Sequence, residues 1–321
     1  MTRRLGVVMD PIAGIHPEKD STLAMLLEAA RRGWELNYME VGDLRLRDGR
    51  AEATARPLAV KDDNEHWFEL GEGIDIGLGG LDVILMRKDP PFDLEYLAAT
   101  YVLDRAEAQG ALVVNRPGAL RGANEKAITS WFADCCPPTL MTRSIPQLRA
   151  FMLEHNAIVV KPLYSMGGRS VFVVRPDDPN ATVIFEEMTE RERRTIIAQA
   201  FVSDVAVSGD KRILMIDGSP VPHAIARIPQ PGELRANIAA GGSVHPVELD
   251  ERDRAICAVV GPILRERGLW FAGLDVIGGY LTEINVTSPT CIREIDRLFG
   301  LNVSGILLDS VEQLLSQPRI I

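Results

Sequence analysis

Three hard oxygen donors lie inside one short apolar stretch, FAGLDVIGGYLTEINVTSPT at 271–290: Asp275, Glu283 and Asn285. Apolar runs flank Gly278 and Gly279, which predicts a β-hairpin. Glu283 and Asn285 are two residues apart, so on a strand they face one side, roughly 7 Å apart. Asp275 joins them only if it faces that side as well. A two-residue turn at Gly278-Gly279 pairs Asp275 with Thr282 and leaves Glu283 on the opposite face. A three-residue turn, such as Gly278-Gly279-Tyr280, or a bulge pairs Asp275 with Glu283 directly, and one of these is expected. Two acids and an amide suit Mg²⁺ held partly through phosphate oxygens and water. The alternative is an ordinary hairpin whose polar side faces solvent.

Other residues extend the chemistry toward anions. Lys161 ends an apolar run and precedes the loop Tyr164-Ser165-Met166-Gly167-Gly168-Arg169-Ser170. Glycines let backbone N–H groups approach phosphate oxygens closely. The loop lacks the GKS/T helix entry of a Walker A motif; a plain hairpin tip is the other reading. Arg212 and Arg227 interrupt apolar strands, and an arginine on a core face needs an anionic partner. The stretch 229–242, PQPGELRANIAAGG, has no clear periodicity and reads as a mobile lid with Arg235 as its inward cation. Arg87 lies in RKDPPFD, at the end of an apolar run. It is either a bidentate partner for a substrate carboxylate or part of a solvated charged loop.

These residues need elements to hold them. Residues 5–9, 35–40, 81–86 and 112–114 read as strands. Between them run a helix from a Ser21 cap to about 32 and another over 94–109. That rhythm is an open parallel α/β sheet, in which ligands bind beyond the carboxyl ends of the strands, where the Asp10 and Arg87 loops lie. Residues 44–60 read as a hairpin turning at Asp48-Gly49. Asn124 caps a helix carrying Lys126, which Pro137-Pro138 breaks. Strands are expected at 139–143, 158–162, 171–175, 196–202, 211–217 and 221–228, with a helix to about 155 between the first two. Asp250 and Gly268 cap the helix before the opening hairpin, and 305–315 is a last amphipathic helix.

Composition narrows the class. The chain has 321 residues, enough for two or three lobes. Its net charge of −10 argues against a nucleic-acid or anionic-membrane surface. No apolar run approaches the roughly 20 residues that span a bilayer. Cys135, Cys136, Cys257 and Cys291 have no CxxC spacing, which fits a reduced, cytoplasmic protein without a zinc site.

Longer stretches carry a family resemblance: VMDPI at 8–12, MLLEA at 25–29, VILMRKDPPFD at 83–93, NEK at 124–126, GDKR at 209–212, ARIPQ at 226–230, AAGG at 239–242 and LTEINVTSPTCIREI at 281–295. The chain resembles the ATP-grasp ligases, and within them the bacterial glutathione synthetases. The weakest match is 44–80. The resemblance implies an α/β protein: an N-terminal open parallel α/β (pre-ATP-grasp) domain over 1–122, then an ATP-grasp fold of two α+β lobes, a small lid lobe over 123–200 and a catalytic lobe over 201–321 with a mobile loop at 228–242. It implies ligation of γ-glutamylcysteine with glycine through an acyl phosphate, with ATP as co-substrate and Mg²⁺, or Mn²⁺, as cofactor. By the same resemblance Lys126 and Lys161 contact the nucleotide, Lys161 near its phosphates, and the loop residues Ser165, Met166, Gly167, Gly168 and Ser170 cover the phosphates. Gln199, Ala200, Phe201 and Val202 hold adenine, and Asp210 the ribose. Asp275, Glu283 and Asn285 bind metal. Arg212, Arg227 and Arg235 are catalytic, while Arg87, Ser288, Pro289 and Thr290 bind substrate. Partners are small molecules and copies of the chain in a homotetramer, with no nucleic acid or membrane. The rivals are another carboxylate–amine ligase of the same fold and a non-catalytic ATP-binding protein. Phosphate release with different acid and amine pairs separates them.

Overall fold

A computed structural model describes residues 2–165, 170–230 and 242–317. The first sheet grows from buried apolar runs. β1 (Arg4–Val8) pairs in parallel with β2 (Glu35–Met39), reached through α1 (Ser21–Arg31). Asp20, not Ser21, caps α1, its side chain accepting from Leu23 N at 2.6 Å. Ser21 Oγ instead accepts the backbone N–H of Ile292, a contact between distant segments that local sequence does not reveal. β3 (Leu44–Arg47) and β4 (Arg50–Val60) form the expected hairpin, with Asp48 and Gly49 both at positive φ. β4 returns antiparallel to β2, and carries β5 (Phe68–Leu70) and β6 (Ile74–Gly77). β7 (Val83–Met86) lies parallel to β1; α2 (Leu94–Ala108) leads to β8 (Leu112–Val114), parallel to β7. The sheet is therefore mixed: a parallel centre with an antiparallel flank. α3 (Pro117–Gly122) closes this part.

The second sheet is antiparallel throughout. β9 (Thr139–Thr142), β10 (Ile158–Pro162), β11 (Phe172–Val174) and β12 (Ile196–Ala200) take the order β11-β10-β12-β9. α4 (Ile145–His155) and α5 (Ala181–Met188) cover it; α5 falls in a segment for which no element was expected. Leu148, Val160, Phe185 and Ile196 form a core belonging to this lobe alone. Each such fully buried side chain contributes about 1.5–3 kcal/mol.

The third sheet runs β16-β15-β13-β17-β18: β13 (Asp210–Ile216) with the short β14 (Ser219–Pro220) beside it, β15 (His223–Ile228), β16 (Ser243–Glu248), β17 (Phe271–Ile277) and β18 (Tyr280–Asn285). α6 (Glu251–Arg267) precedes β17, with a reciprocal Asp250–Asp253 cap at its start and Gly268 at φ +74 at its end. α7 (Ile292–Phe299) and α8 (Val303–Ser316) follow. Two apolar cores each mix residues of the first and third sheets, Val8 with Ile284 in one and Leu5 with Leu214 in the other. Among the described residues no single helix is long and apolar enough to cross a membrane.

Two contacts yield tests. A Cβ on Gly261 of α6 would stand 1.9 Å from the carbonyl oxygen of Gly218. Gly261→Ala should therefore cost about 1–3 kcal/mol, read as a lower thermal midpoint; an unchanged midpoint would show that the helix and turn separate freely. Glu28 of α1 accepts from Arg31, Arg32 and Asn302. The Arg31 hydrogen bonds lead in lowering its pKa from 4.5 to about 2; burial opposes them, and Arg32 and Asn302 help. A lowered carboxyl pKa stabilises the fold above the ordinary value and loses that contribution as pH falls through the folded one. Unfolding followed between pH 4.5 and 2 should show Glu28→Gln with a flatter pH slope than the parent; identical slopes would remove Glu28 from the linkage.

Candidate active site

The hairpin of β17 and β18 satisfies the parity condition by a bulge. Ile277 faces Tyr280 across a two-residue turn, Val276 faces Leu281, and the register then shifts so that Asp275 faces Glu283. Thr282 is the extra residue, its hydroxyl donating to Asp275 O at 3.2 Å. The three-residue turn is thus replaced by the alternative. Gly278 and Gly279 both have positive φ (+55 and +76), which suits a twisted two-residue hairpin turn. A Cβ on Gly278 would also crowd Val202 at 2.8 Å. The hairpin tip therefore abuts the linker that leaves the second sheet.

Asp275 is at the centre of a buried ion network. Arg212 Nε and Nη2 donate to its two oxygens at 2.6 and 3.1 Å. Arg227 Nη2 lies 2.9 Å from Asp275 Oδ1 and 2.5 Å from Asp210 Oδ2. Strand register makes these meetings unavoidable: Arg212 pairs with Asp275 across β13 and β17, and Asp210 with Arg227 across β13 and β15. Burial works to raise the Asp275 pKa, yet Arg212 and Arg227 outweigh it and hold the carboxyl down at about 2. Asp210 goes the other way: burial raises it to about 7, with Asp275 adding to the shift and Arg227 resisting it. Asp210 Oδ1 and Arg227 Nε are buried without a hydrogen-bond partner.

The metal-ligand candidates come together. Asn285 Nδ2 donates to Asp275 Oδ2 and to Gly273 O, both at 3.2 Å, which leaves its carbonyl oxygen for a cation. Glu283 takes Lys126 Nζ on Oε1 at 3.2 Å and has a second oxygen to offer. Asp275 is shared with the arginines, so Glu283 and Asn285 are the less committed donors. This set of hard oxygens fits a small divalent cation.

Nucleotide candidates approach from the second sheet. Lys126 is not on a helix: it precedes a short 3-10 segment, Ala127–Cys135, that kinks at Phe132. Asn124 Oδ1 accepts from the backbone N–H of Lys126 and Ala127. Lys126 Nζ also donates to Ser165 O at 2.6 Å. Lys161 Nζ donates to Gln199 Oε1 at 2.9 Å. Burial lowers the pKa of Lys161, against the attraction of Glu283. Gln199 Nε2 donates to Thr139 Oγ1, so this side chain orients the lysine. The N–H groups of Ala200 and Phe201 donate to Pro138 O and Ala157 O, which restricts what the strand end can offer a base. Ser170 has φ +56. Met166, Gly167, Gly168, Arg235 and most of the expected 228–242 loop lie outside the described residues.

Arg87 is not in a solvated loop. It is buried, donating to Thr22 Oγ1 at 3.0 Å and to Pro289 O at 2.9 Å, with its guanidinium 5.7 Å from the Phe271 ring. It thus ties the start of α1 to the 288–290 segment. Lys88 pairs with Asp10 at 2.9 Å, joining the two loops at the carboxyl ends of β1 and β7.

Two positioning residues had no role assigned from sequence. Glu125 Oε1 accepts from Val286 N, Thr287 N and Thr287 Oγ1 at 2.8, 3.0 and 2.7 Å, and Glu125 O accepts from Ile284 N. It brackets the end of β18, where Glu283 and Asn285 stand. Burial raises its pKa, and the like charge of Glu283 adds to the shift. Asn115 Nδ2 donates to Phe271 O and Val286 O, and its Oδ1 accepts from Phe271 N. It pins the outer ends of β17 and β18 together. The only signal for Glu125 was its place beside Lys126; Asn115 had none.

The family model described as the prokaryotic glutathione synthetase N-terminal domain matches residues 4–121, and its ATP-grasp domain matches residues 125–300. A glutathione synthetase of Escherichia coli (strain K12) is 54% identical over 314 residues, covering 98% of this chain and 99% of that one. One from Yersinia pestis is 52% identical over 317 residues, covering 98% and 99%. Among solved structures, D-cycloserine synthetase DcsG superposes with a TM-score of 0.67 at 16% identity, covering 98% of this chain and 100% of that one, a likeness of fold alone. Matched along both domains and more than half identical to such relatives, the chain belongs to the prokaryotic glutathione synthetases, ATP-grasp enzymes that ligate γ-glutamylcysteine with glycine.

Proposed function

We propose that the buried ion network is where ATP phosphorylates the cysteinyl carboxylate of γ-glutamylcysteine and glycine then displaces the phosphate. The observation that carries this reading is the pair of unpartnered buried atoms, Arg227 Nε and Asp210 Oδ1, beside Asp275. A buried donor and acceptor left open in the protein are matched when a ligand supplies the partners.

The chemistry needs a carboxylate made electrophilic. A carboxylate oxygen attacks the terminal phosphorus, ADP leaves, and the acyl phosphate forms. The glycine nitrogen attacks the acyl carbon, phosphate departs with the C–O electron pair, and the amine proton goes to solvent. Charge shifts among oxygens at each step, so fixed cations do most of the catalysis. Arg212 and Arg227 are held rigidly by Asp275 and cost no reorganisation when that charge develops. Lys126 and Lys161 face the phosphates together with Ser165 and Ser170, while Gln199, Ala200, Phe201 and Val202 flank adenine. Asp210 Oδ1 takes a ribose hydroxyl. Glu283 and Asn285, with Asp275 behind them, would hold Mg²⁺, or Mn²⁺ in its place, which when bound neutralises charge on phosphate oxygens. Ser288, Pro289 and Thr290, fastened by Arg87, bind the dipeptide. The family resemblance supports Arg235 as a further cation, a homotetramer and a cytoplasmic setting.

Phosphate release measured with ATP, Mg²⁺ and γ-glutamylcysteine should turn over continuously only when glycine is added. In the same assay Glu283→Ala should lose about 100-fold or more in kcat with its unfolding midpoint unchanged; near-normal turnover at ordinary Mg²⁺ would take Glu283 out of the metal set. Glu125→Ala should raise the Mg²⁺ concentration for half-maximal rate by about 10–100-fold, and Glu125→Gln, which keeps an acceptor oxygen, by much less. Equal Mg²⁺ dependence in all three proteins would reduce Glu125 to a structural residue.

A further inference from the structure

Glu294 occupies the third position of α7. At the equivalent position of α6, Asp253 turns back and accepts the N–H of Asp250, closing the cap. Glu294 makes no such bond to Cys291, and its Oε2 is buried without a partner. The segment around it is tightly tied. Ile292 N donates to Ser21 Oγ at 3.1 Å, Arg293 Nε to Asp20 O at 3.4 Å, and Arg87 to Pro289 O at 2.9 Å. Glu294 therefore stands in the corner where the start of α1 meets the 288–293 segment. Arg212, Lys19 and Arg297 act on its charge through space, but none of them pairs with it. Burial keeps its pKa raised, as befits a carboxylate still lacking a cation.

A buried carboxylate oxygen without a donor is costly, and a ligand that brings a cation removes the cost. The two organic substrates each bring an amine. Glycine's must lose its charge to attack, and a carboxylate against it would hold it as unreactive ammonium. The glutamyl α-ammonium takes no part in the reaction and stays charged. We infer that Glu294 binds the α-ammonium of the γ-glutamyl group and so makes the site selective for a γ-linked acyl donor that still carries it. This rests on placing the dipeptide against Ser288, Pro289 and Thr290. Arg212, the cation proposed for the reacting carboxylate, acts on Glu294 through space, so recognition of the glutamyl end and activation of the cysteinyl end would lie close together.

The test compares γ-glutamylcysteine with N-glutarylcysteine, which has the same acyl chain and no ammonium. The parent protein should prefer the former by about 10–100-fold in kcat/KM, the range of a charged hydrogen bond. In Glu294→Gln and Glu294→Ala the preference should fall to within about threefold, with the loss in KM for the dipeptide and the KM for ATP and glycine unchanged. A preference that persists in the variants, an equal loss on both acyl donors, or a rise in KM for glycine would each overturn the assignment. Should neither variant fold, equal kcat/KM for the two donors in the parent would overturn it as well. Thr290→Val separates the underlying placement: it should raise KM for both donors alike, and no change there would reject the seat at 288–290 rather than the ammonium contact.

Discussion

The carboxylate of Asp275, held between two buried arginines, is the contact on which the third sheet depends. Removing one member of such a cluster leaves an uncompensated charge and costs about 3–5 kcal/mol. The cluster constrains three strands at once. Arg212 on β13, Arg227 on β15 and Asp275 on β17 meet only in the observed register, because a one-residue slip would turn each side chain to the other face. The register that buries the apolar core therefore also assembles the charges. With Asp210 included, two acids face two arginines, and Arg227 Nε is left without a partner.

Around this cluster the fold joins its parts by polar clamps. Asn115 links the first sheet to both strands of the hairpin. Asn124, Glu125 and Lys126 are consecutive, yet they reach Leu163, Val286 with Thr287, and Glu283 with Ser165 respectively. That tripeptide couples residues 163 and 165 to the strand that carries Glu283 and Asn285. The first and third sheets share apolar cores, whereas the second has its own. The polar contacts of residues 124–126 are thus a direct link between a separately packed lobe and the β17–β18 hairpin.

Much of the site was legible in the chain because strand periodicity and matched family motifs place hard ligands and cations. Parity made the facing of Asp275 and Glu283 conditional on a three-residue turn or a bulge. The bulge is the one found: both glycines accept the left-handed two-residue turn, and the extra residue is Thr282. Other differences share a cause. Ser21 gave up its cap to bond Ile292, and Arg87 left solvent to hold Pro289. In both cases a partner more than two hundred residues away outcompeted the local alternative. The mixed character of the first sheet arose similarly, since nothing in the 44–60 hairpin says which edge it will join.

The sequence by itself determined most of the element order, the hairpin with its three oxygen donors, the buried arginines' need for anions and the family. Those depend on spacing along the chain, on side-chain chemistry and on long matched stretches. Only the tertiary structure decided which anion answers each arginine, that Lys126 spans from Ser165 to Glu283, and that Glu125 and Asn115 brace the β17–β18 hairpin. Hydrogen bonds of that kind join residues far apart in sequence, and their geometry exists only once the sheets have packed. The same holds for Glu294, whose unpartnered oxygen becomes visible only when the corner around it is closed.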